Sequence, residues 1–402
     1  MTDAKLSLDH IYRASHVLKS VIRPTALIKT NSLGMPIYLK PENLQVTGSF
    51  KVRGAAYMIS QLSDEEKAKG VIACSAGNHA QGVALAAKKS GIKATICLPE
   101  GAPISKVEAT RSYGAEICLV PGVYDDAYKY ALKLRDEKGL TFVHPFDNPL
   151  VIAGQGTIGL EILNDLPDVE QVIVPIGGGG LASGVAYAIK QLCPEVKVIG
   201  VQAEGAPSMV RSVHDHKIEC LSEVHTIADG IAVKEPGVNT YKLCNELLDD
   251  IVTVSEDEIC AAILWLVERR KLIAEGAGAV SVAAAMYGKV PCQDKKTVCV
   301  VSGGNIDVTF LNRIISRGLE KSGRMCKLTI EIPDKPGELE KIAKIIAGQG
   351  ANVIALQHER TADTADVTAC LLRVSMETRN HEHCDSIRKA LSDAGFNLKS
   401  TF

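Results

Sequence analysis

The stretch VPIGGGGLASGVAYAI, Val174 to Ile189, decides the fold. It passes from an apolar, β-branched run through four consecutive glycines into a segment of helical period, and so reads as a buried strand, a tight loop and a helix. The same order recurs in both directions along the chain. Strand-like runs begin near Val71, Ala94, Ala115, Thr141, Gln171, Val196 and Thr297, with helix candidates between them such as NHAQGVALAAKKSG, where Gly91 makes a C-terminal stop. Strands alternating with helices at regular spacing predict parallel sheets covered by helices on both faces, so the first three hundred or so residues read as α/β.

The pattern changes after RGLEKSGRMC, Arg317 to Cys326. From residue 327 the order is strand KLTIEI, turn PDKPGEL, helix LEKIAKIIAGQG, strands NVIALQHE and DVTACLLRVSM, helix CDSIRKALSDAG and a short NLKS. That is β-α-β-β-α-β, a ferredoxin-like module with its own core. The expected division is 1–322 and 326–402.

Bulk properties remove several classes of function. The 402 residues are 46% hydrophobic, enough for a large core. Lys and Arg number 45 against 47 Asp and Glu, with no basic block, so nucleic acid is not an expected partner. Apolar runs are only strand-length and the N-terminus MTDAKLSLDH has no targeting pattern, so no membrane partner is expected and the chain is placed in the cytoplasm. Twelve cysteines without a C-x-x-C read as buried free thiols, with Cys74, Cys97, Cys118 and Cys299 inside apolar strands. His214 with His216, and His381 with His383 and Cys384, lack a second ligand pair at zinc spacing and read as solvated surface, so no metal is expected.

The chemistry lies in three loops. Gly177 to Gly180 open onto a helix, so backbone N–H groups and the positive helix end converge as a cradle for phosphate. The stretch is neither a P-loop nor the G-x-G-x-x-G fingerprint. CSAGNHAQG offers Ser75, Ala76, Gly77, Asn78 and His79 as a nest for a carboxylate, and VVSGGN closes a strand with Ser302, Gly303, Gly304 and Asn305. In an open parallel sheet ligands gather outside the carboxyl ends of strands, so the three loops point to one cleft. In TGSFKVRGA, Lys51 follows Phe50 at the start of a helix. A cleft for a phosphate, a carboxylate and an aromatic ring that also receives this amine is equipped to hold pyridoxal 5′-phosphate through a Schiff base.

At this point the sequence resembles the threonine dehydratases, or threonine ammonia-lyases, of the fold-type II, tryptophan-synthase-β-like pyridoxal-phosphate enzymes. YLKPENLQVTGSFKVRGA, SAGNHAQGVALAA, PIGGGGLASG, IADGIAV, EGAGAV and VSGGN stand in the family's order over residues 5 to 320. The tail resembles an ACT domain through PDKPGEL. The resemblance implies two open parallel sheets in two subdomains, the smaller at about 53–150. It makes Lys51 the Schiff-base lysine and the base at the substrate Cα, with Phe50 against the cofactor ring and Asn78 at the ring hydroxyl. The rest of Ser75 to His79 then receives the substrate carboxylate, Gly177 to Gly180 and Leu181 hold the phosphate, and Ser302 faces the pyridine nitrogen.

Elimination of water from L-threonine, and more slowly from L-serine, is the implied reaction, yielding 2-oxobutanoate or pyruvate and ammonia. A serine hydroxyl at the ring nitrogen leaves the ring a weaker electron sink than a carboxylate would, which suits elimination. The serine racemases, similar enzymes, carry a serine where this chain has Ala76, and their metal pattern E-x-x-x-A-x-D reads here Gln202, Ala206 and Ser208. The ACT-like tail implies regulation by isoleucine or valine, with Gly337 and Asn352 at the effector position, and a homo-oligomer, dimer or tetramer. A β-replacement or synthase enzyme of the same fold, a serine racemase-like enzyme and a non-catalytic metabolite sensor are the competing readings.

Overall fold

A computed structural model describes residues 5–360 and 368–399. It divides into two compact units, Met1–Asp307 and Val308–Phe402, so the helix Val308–Lys321 groups with the second unit.

The first unit holds two sheets. β1 (Ile28–Thr30), β2 (Ile37–Pro41), β7 (Gln171–Pro175), β8 (Lys197–Ala203), β9 (Asp250–Val254) and β10 (Thr297–Val301) form one in the order β1-β2-β10-β7-β8-β9, parallel except for the β1–β2 hairpin. β3 (Val71–Cys74), β4 (Ala94–Pro99), β5 (Glu116–Val120) and β6 (Thr141–Phe142) form the other, all parallel, in the order β5-β4-β3-β6. Strands β3, β7 and β10 are buried at every residue, as their Val/Ile-rich apolar runs require of parallel strands covered on both faces. The seven expected strands form. The sequence reading omitted β1, β2 and β9; β2 carries the charged Lys40, which is nonetheless buried because its ammonium donates to Thr25 O and Glu161 Oε2, both at 2.6 Å.

In the second unit β11 (Met325–Pro333), β12 (Asn352–Glu359), β13 (Ala369–Glu377) and β14 (Asn397–Lys399) make an antiparallel sheet ordered β12-β13-β11-β14. Helices Glu338–Gly348 and His381–Asp393 complete the βαββαβ order, the ferredoxin-like, ACT-like topology the tail predicts. Its core alternates along β11 and β13, as in Leu328, Ile330 and Ile332 against Leu372 and Val374.

No disulfide forms, and Cys74, Cys97 and Cys299 are buried thiols while Cys118 is half-buried. His214 is exposed beside Asp215, as expected of solvated surface. The cluster at 381–384 is a correction: His383 and Cys384 are buried. Asn380 caps this helix and turns its first residues inward, where His383 Nε2 donates to Gln349 O at 2.8 Å and Cys384 Sγ to Gly323 O. Among the described residues no helix is long and apolar enough to cross a membrane.

Candidate active site

The loops that follow β3, β7 and β10 open on one cavity of about 1010 Å³. It is lined by Phe50 and Lys51, by Ser75 to His79, by Gly177 to Leu181 and by Ser302. Every residue expected at the catalytic, cofactor and substrate positions therefore faces a shared space.

Lys51 begins the helix Lys51–Ser60, and Phe50 before it is anchored by its amide to Ser302 O at 3.1 Å. Ser49 bridges Gly303, so the lysine is fastened to the β10 loop. Its Nζ donates to Pro145 O at 2.7 Å and lies 5.4 Å from the Phe50 ring centroid. Burial pushes the amine down from 10.5 to about 8, against the opposing pull of Glu275.

Helix Gly180–Leu192 starts from Gly179, whose φ of +98° is a left-handed conformation that favours glycine. Among the described residues nothing accepts from the amides of Gly177 to Leu181, as befits donors of a loop and first helical turn. A methyl on Gly178 would stand 2.5 Å from the Phe146 ring, so the loop has room for backbone and not for side chains. Free amides at a helix start, with no Cβ in the way, fit the anionic end of pyridoxal phosphate.

In the second loop Gly77 N donates to Ser75 Oγ at 3.2 Å, and Gly77 and Ala76 border the cavity. Asn78 is tied on both sides: its Nδ2 donates to Glu275 Oε1 at 2.6 Å and its Oδ1 accepts from Asn305 Nδ2 at 2.7 Å. His79 contributes less than its position suggests, because its Nε2 donates to Val143 O at 2.7 Å and burial pushes its pKa down to about 3. What it offers a carboxylate is the backbone of the helix start. Ser302 Oγ is buried and directs its hydroxyl to Ala277 O at 3.2 Å, a bond that donation to a ring nitrogen would exchange.

Sequence reasoning missed Glu275 and His144. Burial, then the charge of Asp229, raises Glu275 to about 7, with the Asn78 bond opposing. It precedes the glycine- and alanine-rich helix Gly276–Met286, and EGAGAV carries no local sign that this acid is buried. His144 is pushed down to about 4 by burial, and its Nδ1 accepts from the amides of Phe146 and Asp147 at 3.3 and 2.8 Å, holding the turn that carries Pro145.

Gly337 and Asn352 belong to the second unit. Gly337, with φ of +93°, precedes the helix Glu338–Gly348, and Asn352 donates to Glu377 Oε2 at 2.9 Å on the surface. Gln202, in the racemases' metal pattern, is fully buried and spans Ile176 O and Val210 N at 3.3 and 2.9 Å.

Glycine-rich loops at the carboxyl ends of parallel strands, grouped around the buried amine of Lys51, define a fold-type II pyridoxal-phosphate enzyme. The chain belongs to the family of pyridoxal-phosphate dependent enzymes, which matches residues 18–304, and its cofactor is pyridoxal 5′-phosphate. It is 49% identical to an L-threonine ammonia-lyase of Thermotoga maritima over 98% of this chain and 99% of that one. Similar solved structures include the processed form of threonine deaminase isoform 2 from Solanum lycopersicum, with TM-score 0.72 and 39% identity over 78% of this chain and 94% of that one. Maize serine racemase is also similar, with TM-score 0.74 and 34% identity over 79% and 99%.

Proposed function

We propose that this enzyme deaminates L-threonine, and more slowly L-serine, by α,β-elimination of water, releasing ammonia with 2-oxobutanoate or pyruvate. The observation that carries the proposal is an amine lowered to about 8 in the same cavity as a loop of unengaged glycine amides. When bound, pyridoxal phosphate supplies an aldehyde for an amine and a ring that withdraws electrons from the substrate Cα.

The residues divide the remaining tasks. Gly177 to Leu181 bind the phosphate end, and Ser75 to Gly77 with the start of the Asn78–Lys89 helix receive the substrate carboxylate. Asn78, braced by Glu275 and Asn305, would hold the ring hydroxyl, Phe50 would pack on the ring and Ser302 would donate to its nitrogen. Lys51, neutral in a substantial fraction near pH 8, takes the Cα proton as general base. Glu275, raised to about 7 by burial and Asp229, accepts from Asn78 and fixes its orientation.

A serine racemase-like reading draws support from the maize enzyme, but Ala76 brings no acid–base group to the other face of the substrate. A β-replacement enzyme would need a second nucleophile. Pure protein with L-threonine and no added nucleophile is expected to release ammonia and 2-oxobutanoate in equal amounts. D-amino acid as the main product, or turnover only with an added nucleophile, would refute the assignment.

The second unit is read as a regulatory domain for a branched-chain amino acid, isoleucine or valine, in a homo-oligomeric enzyme. Its ACT-like topology supports this, with Gly337 and Asn352 as effector residues. Coupling of about 1–3 kcal/mol would shift substrate affinity roughly 5- to 150-fold. The rate measured with and without isoleucine or valine, in the full chain and in a chain ending at 307, tests it: a response that survives truncation rejects this unit as the effector site.

A further inference from the structure

At one end of the second unit's sheet, three side chains of different donor chemistry converge. Asp334 directly follows β11, His358 lies near the end of β12, and Cys370 near the start of β13. The register pairs Ile332 with Cys370 and His358 with Leu372. Cys370 and His358 are therefore diagonal neighbours on one face, and Asp334, two residues beyond Ile332, points the same way. Their ligand atoms all lie within 4.8 Å of one another. The Asp334 amide donates to Thr368 O at 2.9 Å, which ties the end of β11 to the approach to β13.

Two of the three side chains already touch. His358 Nε2 is 2.9 Å from Cys370 Sγ, and Cys370 also reaches Ile332 O at 3.6 Å. Among the described residues, the cation paired with the group is Arg360, whose Nε is 3.2 Å from Asp334 Oδ2 on the exposed side, a pairing readily exchanged.

We propose that Asp334, His358 and Cys370 bind a divalent transition-metal ion of the zinc class, with a fourth coordination position open to water or a small ligand. One thiolate, one imidazole and one carboxylate suit zinc or cobalt, whereas magnesium and calcium take oxygen ligands. Three protein ligands and one open position is a tetrahedral set ready to take an exogenous donor. Binding forms the Sγ–metal bond, breaks the Sγ–H bond and sends that proton to solvent; His358 coordinates as the neutral ring, Asp334 as the carboxylate, and no electron is transferred. The ion would fasten the edge strand β12 to β13 and β11. Sequence spacing hides the site because its ligands come from three separate strands.

Cobalt(II) titrated into the full-length holoenzyme tests the site, read as a difference spectrum against the same protein without metal. The expected result is one tight cobalt per chain, with tetrahedral d–d bands and a thiolate-to-cobalt charge-transfer band, one proton released per ion, and displacement by zinc. Cys370→Ser should abolish the charge-transfer band. His358→Ala, at an exposed position where folding is not at stake, should weaken binding by more than about 100-fold, beyond what loss of an outer-shell partner costs. An unchanged charge-transfer band in Cys370→Ser, or unchanged affinity in His358→Ala, overturns the proposal; if Cys370→Ser fails to fold, the His358 variant decides alone.

Discussion

Lys51 Nζ donates to the carbonyl oxygen of Pro145 at 2.7 Å. A carbonyl accepts from an ammonium and from a neutral amine alike, so this bond positions the nitrogen without demanding its charge. Burial then favours the neutral form, down to about 8.

Cofactor capture should follow that titration. A lysine lowered from 10.5 to about 8 is mostly protonated at pH 7 and mostly neutral at pH 9. The rate at which cofactor-free protein takes up pyridoxal phosphate is expected to rise through pH 8 and level off above it. A rate still climbing steeply at pH 10 would show an unperturbed lysine.

Replacing the amine separates chemistry from binding. Lys51→Ala should retain the fold, lose the visible absorption of the covalently held cofactor, and reduce threonine turnover by more than about 10⁴-fold, the upper end of what a general base contributes. The check is 2-oxobutanoate formation alongside circular dichroism. Deamination at the original rate would remove Lys51 from its role.

Glu275 gives a pH dependence of opposite sign to the usual carboxylate. Its folded pKa is raised from 4.5 to about 7, so between those values the folded chain holds a proton that the unfolded chain has released. The stability this group contributes is full below about pH 4.5 and is lost as pH rises through about 7. At about 1.4 kcal/mol per unit, a shift from 4.5 to about 7 makes the loss roughly 3–4 kcal/mol. In cofactor-free protein, Glu275→Gln should flatten this decline, as urea unfolding at a series of pH values would reveal; parallel curves would argue against a protonated Glu275.

Much of this site was legible in the sequence because it is built from local stretches. The strand, tetraglycine loop and helix at 171–192 are contiguous, and so are Phe50 with Lys51 and Ser75 with Asn78. What could not be read depends on contacts distant in sequence. The bond between Asn78 and Glu275 joins two loops through the fold, and nothing in EGAGAV distinguishes a buried acid from a solvated helix start. His383 and Cys384 read as surface because their neighbours are polar, whereas an asparagine cap turned them inward.

Arg53 shows the same limit, since an arginine in FKVRGA looks like surface charge. It is fully buried, its Nε 2.8 Å from Glu42 Oε2 and its Nη1 2.6 Å from Glu161 Oε1, and the network is completed by Lys40. Arg53→Ala would leave Glu42 buried beside no cation, at a cost of about 3–5 kcal/mol. Urea unfolding should register that loss, and adding Glu42→Gln should recover part of it. Equal stability of Arg53→Ala and the original protein would mean that water replaces the guanidinium.

The tetraglycine loop can be tested at a single atom. A Cβ at residue 178 would approach the Phe146 ring to 2.5 Å, closer than carbon atoms tolerate, so the ring or the loop must move. Phe146 has little freedom, because the next residue, Asp147, caps the helix Val238–Leu247 by accepting from the amides of Asn239 and Thr240 at 3.0 and 3.1 Å. The strain is therefore expected to fall on the phosphate-binding amides. At about 1.4 kcal/mol, within the usual range for overpacking, Gly178→Ala should weaken pyridoxal phosphate binding about tenfold. Gly348→Ala is the matched control, since its methyl would meet nothing within 4 Å. Cofactor affinity measured by equilibrium dialysis should fall in the first variant and hold in the second; equal affinities would place the phosphate away from this loop.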